Sequence, residues 1–384
     1  MRRRLAAAGL GSAIALAGVA AAEAWQRAHE LGSMQVHFDP PGIKYVFTEG
    51  GEDRGRGWRE DRVPPPKKPG VTRLVCLGDS VTFGVSVGAR DTWCEAVRRG
   101  LGDAEAFNFG MNGYDAEQVA TLLEARIAPW EPDVVVWGTY VNDVFPTYLL
   151  YGLETGDPVF VGTDVPEQAR ILPEPVALFL VRHSALYRRL QGAAYARSER
   201  ERGPYAATPE RYAAQVDRVA DWSEANATPV VFLAIPPHVM ADMTTCPAQF
   251  PVPALCEASG VQYQAIVGAL RARGVTWVDG LTAFQASGRP HFHPERNLDP
   301  DHPNAAGHKV LGTAALPIVR TALGLPAVAP EPAPRWNPDA VNPDAAAPVG
   351  PGRNRDRAAS GGASPAATGG PRGAPPGGEK PAVP

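Results

Sequence analysis

The sequence has little excess charge of either sign. Its 384 residues carry 37 Lys and Arg against 41 Asp and Glu, a formal net charge of −4. The basic residues are scattered, apart from a cluster at residues 2–4. Nucleic-acid-binding domains concentrate basic residues on one face, so we predict no nucleic-acid partner. Hydrophobic residues make up 44% of the chain, which is enough for a substantial core.

Cysteine is also scarce. The chain has four cysteines, and none precedes Cys76, so we expect no bacterial lipid-attachment cysteine. Cys246 and Cys256 close a short proline-rich loop, and we predict a disulfide between them in an oxidising compartment. Cys76 lies in a predicted strand and Cys94 in a predicted helix. We expect both to be small buried apolar side chains.

Long hydrophobic runs are missing except near the N-terminus, behind the basic cluster. Residues 5–22 form an apolar run of about 18 residues, rich in Ala and Gly and just short of the ~20 that span a bilayer. Small residues at 20–22 and 22–24 fit signal-peptidase cleavage. We therefore predict that residues 1–24 are a signal peptide or an N-terminal membrane anchor. Either way the protein is exported, to the periplasm, the cell surface or the medium, and in the second case residues 5–22 attach it to a membrane.

The sequence has no internal repeat, and it lacks the common nucleotide-binding and lipase motifs. The stretch LVCLGDSVTFG at residues 74–84 turns abruptly at Gly78 after an apolar strand. It is neither a Walker A loop nor Gly-x-Gly-x-x-Gly. It also departs from the lipase motif Gly-x-Ser-x-Gly, because Thr82 stands in place of the last glycine. Ser80 is therefore either a helix cap or a nucleophile.

Beyond residues 1–24, composition divides the chain into a domain and a tail. From residue 327 to 384 it is rich in Pro, Gly, Ala and Ser with few large apolar residues, so we predict a disordered tail. Residues 36–326 are predicted to form one α/β domain, interrupted by an insertion at about 144–207. The insertion follows a predicted strand and contains one predicted helix at 177–191. We expect it to cover or flank the site.

Apolar runs alternate with helix-period segments through the predicted domain. The predicted strands are residues 72–77, 106–109, 133–137, 230–235 and 275–279. The predicted helices around them are residues 91–101, 115–127, 208–226, 262–273 and 304–323. Continuous apolar strands indicate burial on both faces, so we predict a three-layer α/β/α sandwich with a central parallel sheet. Ligands in such folds bind at the C-terminal ends of the strands, where Ser80 lies.

A base and oxyanion donors for Ser80 are available in other loops. Asp299 and His302 are three residues apart before a predicted helix, a spacing that lets the carboxylate orient the imidazole. The loop after the second strand contains Gly113, whose backbone N–H is a candidate oxyanion donor. The loop after the third strand offers the side-chain amide of Asn142.

This order of motifs resembles the SGNH (GDSL-type) hydrolase superfamily over residues 73–323. The matching blocks are Gly78-Asp79-Ser80, Asn108 to Gly113, Asn142-Asp143, and Asp299 to Pro303. The third block departs from Gly-x-Asn-Asp, because three residues separate Gly138 from Asn142. The resemblance implies a flavodoxin-like fold and metal-free ester hydrolysis or acyl transfer, without a cofactor. Ser80 would be the nucleophile, His302 the base and Asp299 its orienter, with Ser80, Gly113 and Asn142 forming the oxyanion hole.

Other interpretations of the same residues stay open. Ser80 could be a structural cap, and the segment 291–302 has the composition of a zinc site, with His291, His293, Asp299, Asp301 and His302. The alternative for His291 and His293 is a loop at the rim of the site. We expect His308 to be structural and Asp79 to hydrogen-bond the serine loop.

The expected function is an exported serine esterase acting on small acyl esters of the acetyl type, on a carbohydrate or a small molecule. The alternatives are a lysophospholipase or lipase-like esterase, an O-acetyltransferase, and a non-catalytic binding protein on the same fold. The sequence does not fix the oligomeric state.

Overall fold

The computed structural model describes eleven stretches of the chain. They are residues 2–29, 34–36, 43–47, 65–85, 87–145, 147–151, 157–202, 209–241, 253–288, 291–292 and 302–326. Asp299, Asp301, His293, Cys246 and the predicted tail lie outside them, as does the side chain of Cys256. The predictions that depend on those residues therefore stay predictions.

Two kinds of sheet are formed. The strands in chain order are β1 Met34–Val36, β2 Tyr45–Phe47, β3 Thr72–Gly78, β4 Ala104–Gly110, β5 Val134–Thr139, β6 Leu149–Tyr151, β7 Pro158–Phe160, β8 Val230–Ala234 and β9 Trp277–Asp279. The central sheet is parallel, in the order β4-β3-β5-β8-β9, while β1 pairs with β2 and β6 with β7 in antiparallel hairpins. Counting only its own strands, the central sheet has the order 2-1-3-4-5, which is the flavodoxin-like order.

Helices pack on the central sheet and on the β6–β7 hairpin. In chain order they are α1 Arg2–His29, α2 Ser80–Phe83, α3 Trp93–Leu101, α4 Ala116–Leu122, α5 Glu174–His183, α6 Ala185–Arg202, α7 Pro209–Asn226, α8 His238–Ala241, α9 Pro253–Arg273, α10 Gly280–Ser287 and α11 Ala305–Ala322. α3 packs against α11, and α7 packs against both α4 and α9. The predicted three-layer α/β/α fold with a central parallel sheet is confirmed.

Burial explains why the central strands could be predicted. All six residues of β5 and all five of β8 are buried, as continuous apolar runs require in a sheet covered on both faces. The register places Gly78 of β3 beside Gly110 of β4 and Gly138 of β5. A Cβ at Gly110 would lie 2.1 Å from the backbone nitrogen of Phe83, so glycine lets α2 pack directly on the end of the sheet.

The structure corrects the cysteine prediction. Cys76 of β3 and Cys94 of α3 form a disulfide with a Cα–Cα distance of 6.0 Å. Both are buried, as expected, but the expectation that they are separate apolar side chains was wrong. The error arose because their apolar patterns showed burial but not that the first turn of α3 lies over β3. The predicted Cys246–Cys256 disulfide lies outside the described side chains.

The insertion contains two helices rather than the single predicted helix at 177–191. α5 ends at His183 and α6 starts at Ala185, because Ser184 caps α6 by accepting a hydrogen bond from Tyr187 N–H at 3.1 Å. The hairpin β6–β7 and these helices share an apolar cluster of their own. Its buried members are Phe160, Val165, Ala169, Ala177, Val181, Tyr187 and Tyr195. Within the part of the chain that the structure describes, no helix is both long and apolar enough to cross a membrane.

Candidate active site

Ser80 lies where the C-terminal end of β3 meets the first turn of α2. We call residues 79–84 the β3 loop. Asp79 caps α2, since its Oδ1 accepts a hydrogen bond from Val81 N–H at 2.9 Å, as expected from the sequence. Asn108 of β4 fixes the other end of the turn by donating to the carbonyl of Thr82 at 2.8 Å. The strand, the cap and the neighbouring strand together hold Ser80 at the edge of the sheet, with its side chain partly exposed.

His302 contacts Ser80 directly. Its Nε2 lies 2.8 Å from Ser80 Oγ, although 222 residues separate the two in sequence. When Nε2 is unprotonated, the serine hydroxyl donates to it, which is the arrangement that a general base requires. The predicted orienter Asp299 is outside the described residues.

The segment that carries His302 is fixed by backbone contacts. Pro303 forms an antiparallel bridge with Phe292, and Asn304 N–H donates to the carbonyl of His291 at 2.7 Å. The Asn304 side chain also caps α11 by accepting from Gly307 N–H at 2.9 Å. These contacts place the imidazole against the β3 loop, and none of them involves a strand of the central sheet.

Gly113 lies in the loop that follows β4, residues 111–115, which we call the β4 loop. Gly113 is exposed and has a φ of +76°, a left-handed conformation that favours glycine. The loop is tied to the β3 strand end, because Met111 N–H donates to the carbonyl of Gly78 at 3.1 Å. The β4 loop therefore lies beside the turn that carries Ser80.

Asn142 lies in the 3₁₀ turn Val141–Val144 after β5. β5 runs on to Thr139, so the turn starts later than the family spacing suggests, and this accounts for the three residues between Gly138 and Asn142. The side-chain nitrogen of Asn142 donates to the carbonyl of Tyr114 at 3.4 Å. The three loops with the predicted oxyanion donors thus meet at one edge of the sheet, as predicted for parallel strands.

Two buried carboxyls lie behind Ser80. Burial raises the pKa of Asp79 to about 6, although the hydrogen bond from Val81 N–H, the charge of His302 and a hydrogen bond with Asn142 each lower it. Burial and the charge of Asp79 raise the pKa of Asp143 well above its usual range. The sequence marked Asp143 only as part of the Asn-Asp pair and did not indicate that it shares a buried region with Asp79.

Two further histidines of the described residues, His291 and His308, have structural surroundings. His291 is buried and its ring stacks on Phe284 with centroids 4.1 Å apart, so its imidazole packs in the core. The apolar surroundings of Phe284 explain its burial. His308 is buried in α11, and its Nδ1 accepts from Trp93 N–H at 3.2 Å, as expected of a structural histidine. Among the described residues, no group of three or more His, Cys, Asp or Glu is placed to hold a metal ion.

The model of the GDSL-like Lipase/Acylhydrolase family matches residues 76–310. A search of curated proteins found no match.

Solved structures to which the chain is similar include an aryl esterase of M. smegmatis, with 16% identity and a TM-score of 0.39, covering 66% of this chain and 100% of that one. An acetylxylan esterase from Geobacillus stearothermophilus has 13% identity and a TM-score of 0.38, covering 68% of this chain and 97% of that one. A G-D-S-L family lipolytic protein from Veillonella parvula has 13% identity and a TM-score of 0.38, covering 64% and 97%.

Proposed function

Because the chain belongs to the GDSL-like lipase/acylhydrolase family and is an ester-hydrolysing enzyme, we propose that Ser80 is its nucleophile and His302 its general base. The observation that carries this proposal is the 2.8 Å contact between His302 Nε2 and Ser80 Oγ at the C-terminal edge of the sheet. A serine that served only to cap α2 would have no need of an imidazole, since Asp79 already provides the cap.

The proposed reaction has two steps. Ser80 Oγ attacks the ester carbonyl carbon while its proton passes to His302 Nε2, and the carbonyl π electrons move to the oxygen. The tetrahedral intermediate then expels the alcohol, which takes the proton from His302, and leaves Ser80 acylated. Water attacks the acyl carbon, gives its proton to His302, and the collapse of the second intermediate returns that proton to Ser80 Oγ.

The oxyanion is proposed to bind three donors. Ser80 is the first residue of α2, and its N–H belongs to the helical turn whose amides have no acceptor within the helix. Gly113 N–H and the amide of Asn142 are the other two. Each such donor contributes about 3–4 kcal/mol to the stability of the transition state in comparable enzymes. Asp299 is proposed to orient His302 from three residues upstream, which the spacing supports.

The proposed substrates are small acyl esters of the acetyl type, on a carbohydrate or another small molecule. The support for this choice is the predicted export of the chain, which would place the enzyme among the acylated sugars of a cell envelope. Its N-terminal sequence of basic cluster, apolar run and small residues supports export.

We further propose that α1 stays on the protein after export and is not removed as a signal peptide. Glu23 accepts hydrogen bonds from Ser184 Oγ and Ala185 N–H, both at 2.8 Å, and from Leu186 N–H at 3.1 Å. Burial raises its pKa, but these bonds outweigh that effect and lower the pKa to about 2. Removal of residues 1–24 would delete this cap of α6. An intact-mass measurement on the exported protein tests the proposal, and a mass that lacks residues 1–24 contradicts it.

Hydrolysis of p-nitrophenyl esters from acetate to palmitate tests the main proposal. We expect the rate to be highest with acetate, and Ser80→Ala to abolish both turnover and labelling by a fluorophosphonate. Ser223→Ala is the matched control, because Ser223 caps a turn at the end of α7 and should leave the activity unchanged. A maximum at long chains would favour a lipid substrate, while a wild type with neither turnover nor labelling would favour a binding protein.

A further inference from the structure

Lys44 is a fully buried lysine that precedes the family match at residues 76–310. Its Nζ makes an ion pair with Asp115 Oδ2, whose side chain is also buried. A second carboxylate, Glu117, lies 3.3 Å from the same nitrogen. Burial of a lysine is costly unless its charge is paired. We therefore take the ion pair, and not the apolar part of the side chain, as the structural role of Lys44.

Asp115 is the residue through which Lys44 reaches the β4 loop. Besides Lys44, its carboxylate accepts hydrogen bonds from Gln118 N–H at 3.1 Å and from Thr147 N–H at 2.6 Å. Burial raises the pKa of Asp115, but the charge and hydrogen bond of Lys44, with these backbone bonds, keep the pKa below its usual value. One ionised carboxylate thus joins the N-terminal segment, the start of α4 and the start of the insertion.

The same contacts surround Gly113. Asp115 is two residues beyond Gly113, and the hydroxyl of Thr147 donates to the carbonyl of Gly113 at 3.3 Å. Asn142 donates to the next carbonyl in the loop, that of Tyr114. The loop is therefore held at three successive residues. The Gly113 N–H belongs to the preceding peptide group, which lies between Met111 and the held carbonyl of Gly113. Met111 is held as well, because its carbonyl accepts from Tyr114 N–H at 3.2 Å, so the direction of the Gly113 N–H depends on contacts on both sides of it.

We propose that Lys44 is a positioning residue which, through Asp115 and Thr147, holds the Gly113 N–H in the oxyanion hole. This inference rests on the proposed function and adds to it a residue outside the family motifs. It predicts that the loss of Lys44 affects the transition state more than the bound substrate, because the Gly113 donor acts on charge that develops only during the reaction.

The test is Lys44→Met in the full-length chain, with an ester that the wild type hydrolyses. We expect kcat to fall roughly 10-fold to 100-fold, as for a displaced catalytic group, while KM changes by less than about 2-fold. The rate of fluorophosphonate labelling should fall in parallel. Lys44→Arg, which keeps the charge, should recover part of kcat. Lys67→Met is the matched control, because Lys67 pairs with Asp133 at 2.6 Å just before β5, at the end of that strand away from the site.

Thr147→Val keeps the test valid if Lys44→Met does not fold. It leaves the ion pair intact and removes only the hydroxyl contact to Gly113, so we expect a several-fold loss in kcat at unchanged KM. An unchanged kcat in a folded Lys44→Met, or in Thr147→Val where Lys44→Met does not fold, would overturn the inference. Failure of the proposed function has a different signature, because the wild type itself would then lack turnover and labelling.

Discussion

The β3 loop and the β4 loop each follow a strand of the same sheet, and each contains a buried aspartate. The two carboxyls differ in their surroundings. Asp79 has backbone amides, Asn142 and His302 around it, and burial raises its pKa to about 6. Asp115 has Lys44, and its pKa is lowered despite its burial. The comparison shows that burial alone does not decide the ionisation of a carboxyl at this sheet edge, since a buried cation reverses the effect.

The two loops are also held in place by different interactions. β3, which leads into the β3 loop, is joined to α3 by the Cys76–Cys94 disulfide. The β4 loop depends on the Lys44–Asp115 ion pair. The disulfide is covalent and sensitive to reductant, while the ion pair is electrostatic and sensitive to pH. Substitutions that remove the disulfide or the ion pair separately should therefore have distinguishable effects.

The largest effect is expected where the β3 loop meets its base. His302→Ala removes the group that accepts the Ser80 proton, so kcat should fall by about 10⁴-fold or more. Since His302 is partly exposed, the variant should stay folded. His183→Ala, a change at an exposed histidine of α5, is the control and should keep full activity. Initial rates with one chromogenic ester measure both, and a His302→Ala enzyme within about tenfold of wild type would rule out its role as base.

Removal of the ion pair should have the largest effect on stability. Lys44→Met leaves a buried carboxylate without its cation, which costs about 3–5 kcal/mol at pH 7. Because the pKa of Asp115 is lowered in the folded state, this stability is present above the unfolded value of 3.8 and is lost as the pH falls through the lower folded pKa. Urea unfolding at pH 7 and at acidic pH measures the difference, which should shrink in acid. A difference that is the same at both would contradict the assignment. Lys67→Met, at a partly exposed pair, should cost at most about 1 kcal/mol.

The strands, the site residues and the ion pair differ in how well the sequence predicts them. The central strands follow from local apolar runs, and Ser80 and Gly113 from motifs that lie next to strand ends. Lys44 carries no such local signal, because its burial depends on Asp115, 71 residues away. The same holds for the break between α5 and α6, where Glu23 binds across 161 residues. Local patterns predict elements and their ends, while contacts between distant segments appear only once the chain is folded.

The disulfide should contribute less to the stability of the fold than the ion pair does. Cys94→Ala opens a link between residues 18 apart, and the loss of loop constraint costs about 3 kcal/mol. The expected result is a lower midpoint in urea with activity retained at 25 °C in the folded protein, because neither cysteine contacts Ser80 in the proposed reaction. Wild type unfolded in the presence of reductant should reach the same midpoint as the variant. Equal midpoints for oxidised wild type and Cys94→Ala would show that the link does not stabilise the fold.

The smallest effect is expected from the charge of Asp79, and its sign is opposite to that of Asp115. The folded pKa of about 6 lies above the usual 3.8, so the folded state favours the neutral acid. This contribution to stability is fully present below pH 3.8 and is lost as the pH rises through 6. Asp79→Asn has no such titration, and its Oδ1 can still accept from Val81 N–H. Its stability relative to wild type should therefore rise by roughly 1–3 kcal/mol between pH 4 and pH 7, on the scale of about 1.4 kcal/mol for each pH unit.

Urea unfolding of Asp79→Asn and wild type across that range measures this prediction, with Asp115→Asn as the comparison. Asp115→Asn should instead lose stability relative to wild type as the pH rises from acid to neutral, because the wild type gains its ion pair there. Opposite slopes for the two variants would establish that the β3 and β4 loops have carboxyls of opposite preference. Parallel slopes would mean that Lys44 does not determine the ionisation of Asp115. The positioning role inferred for Lys44 would then lose its electrostatic basis.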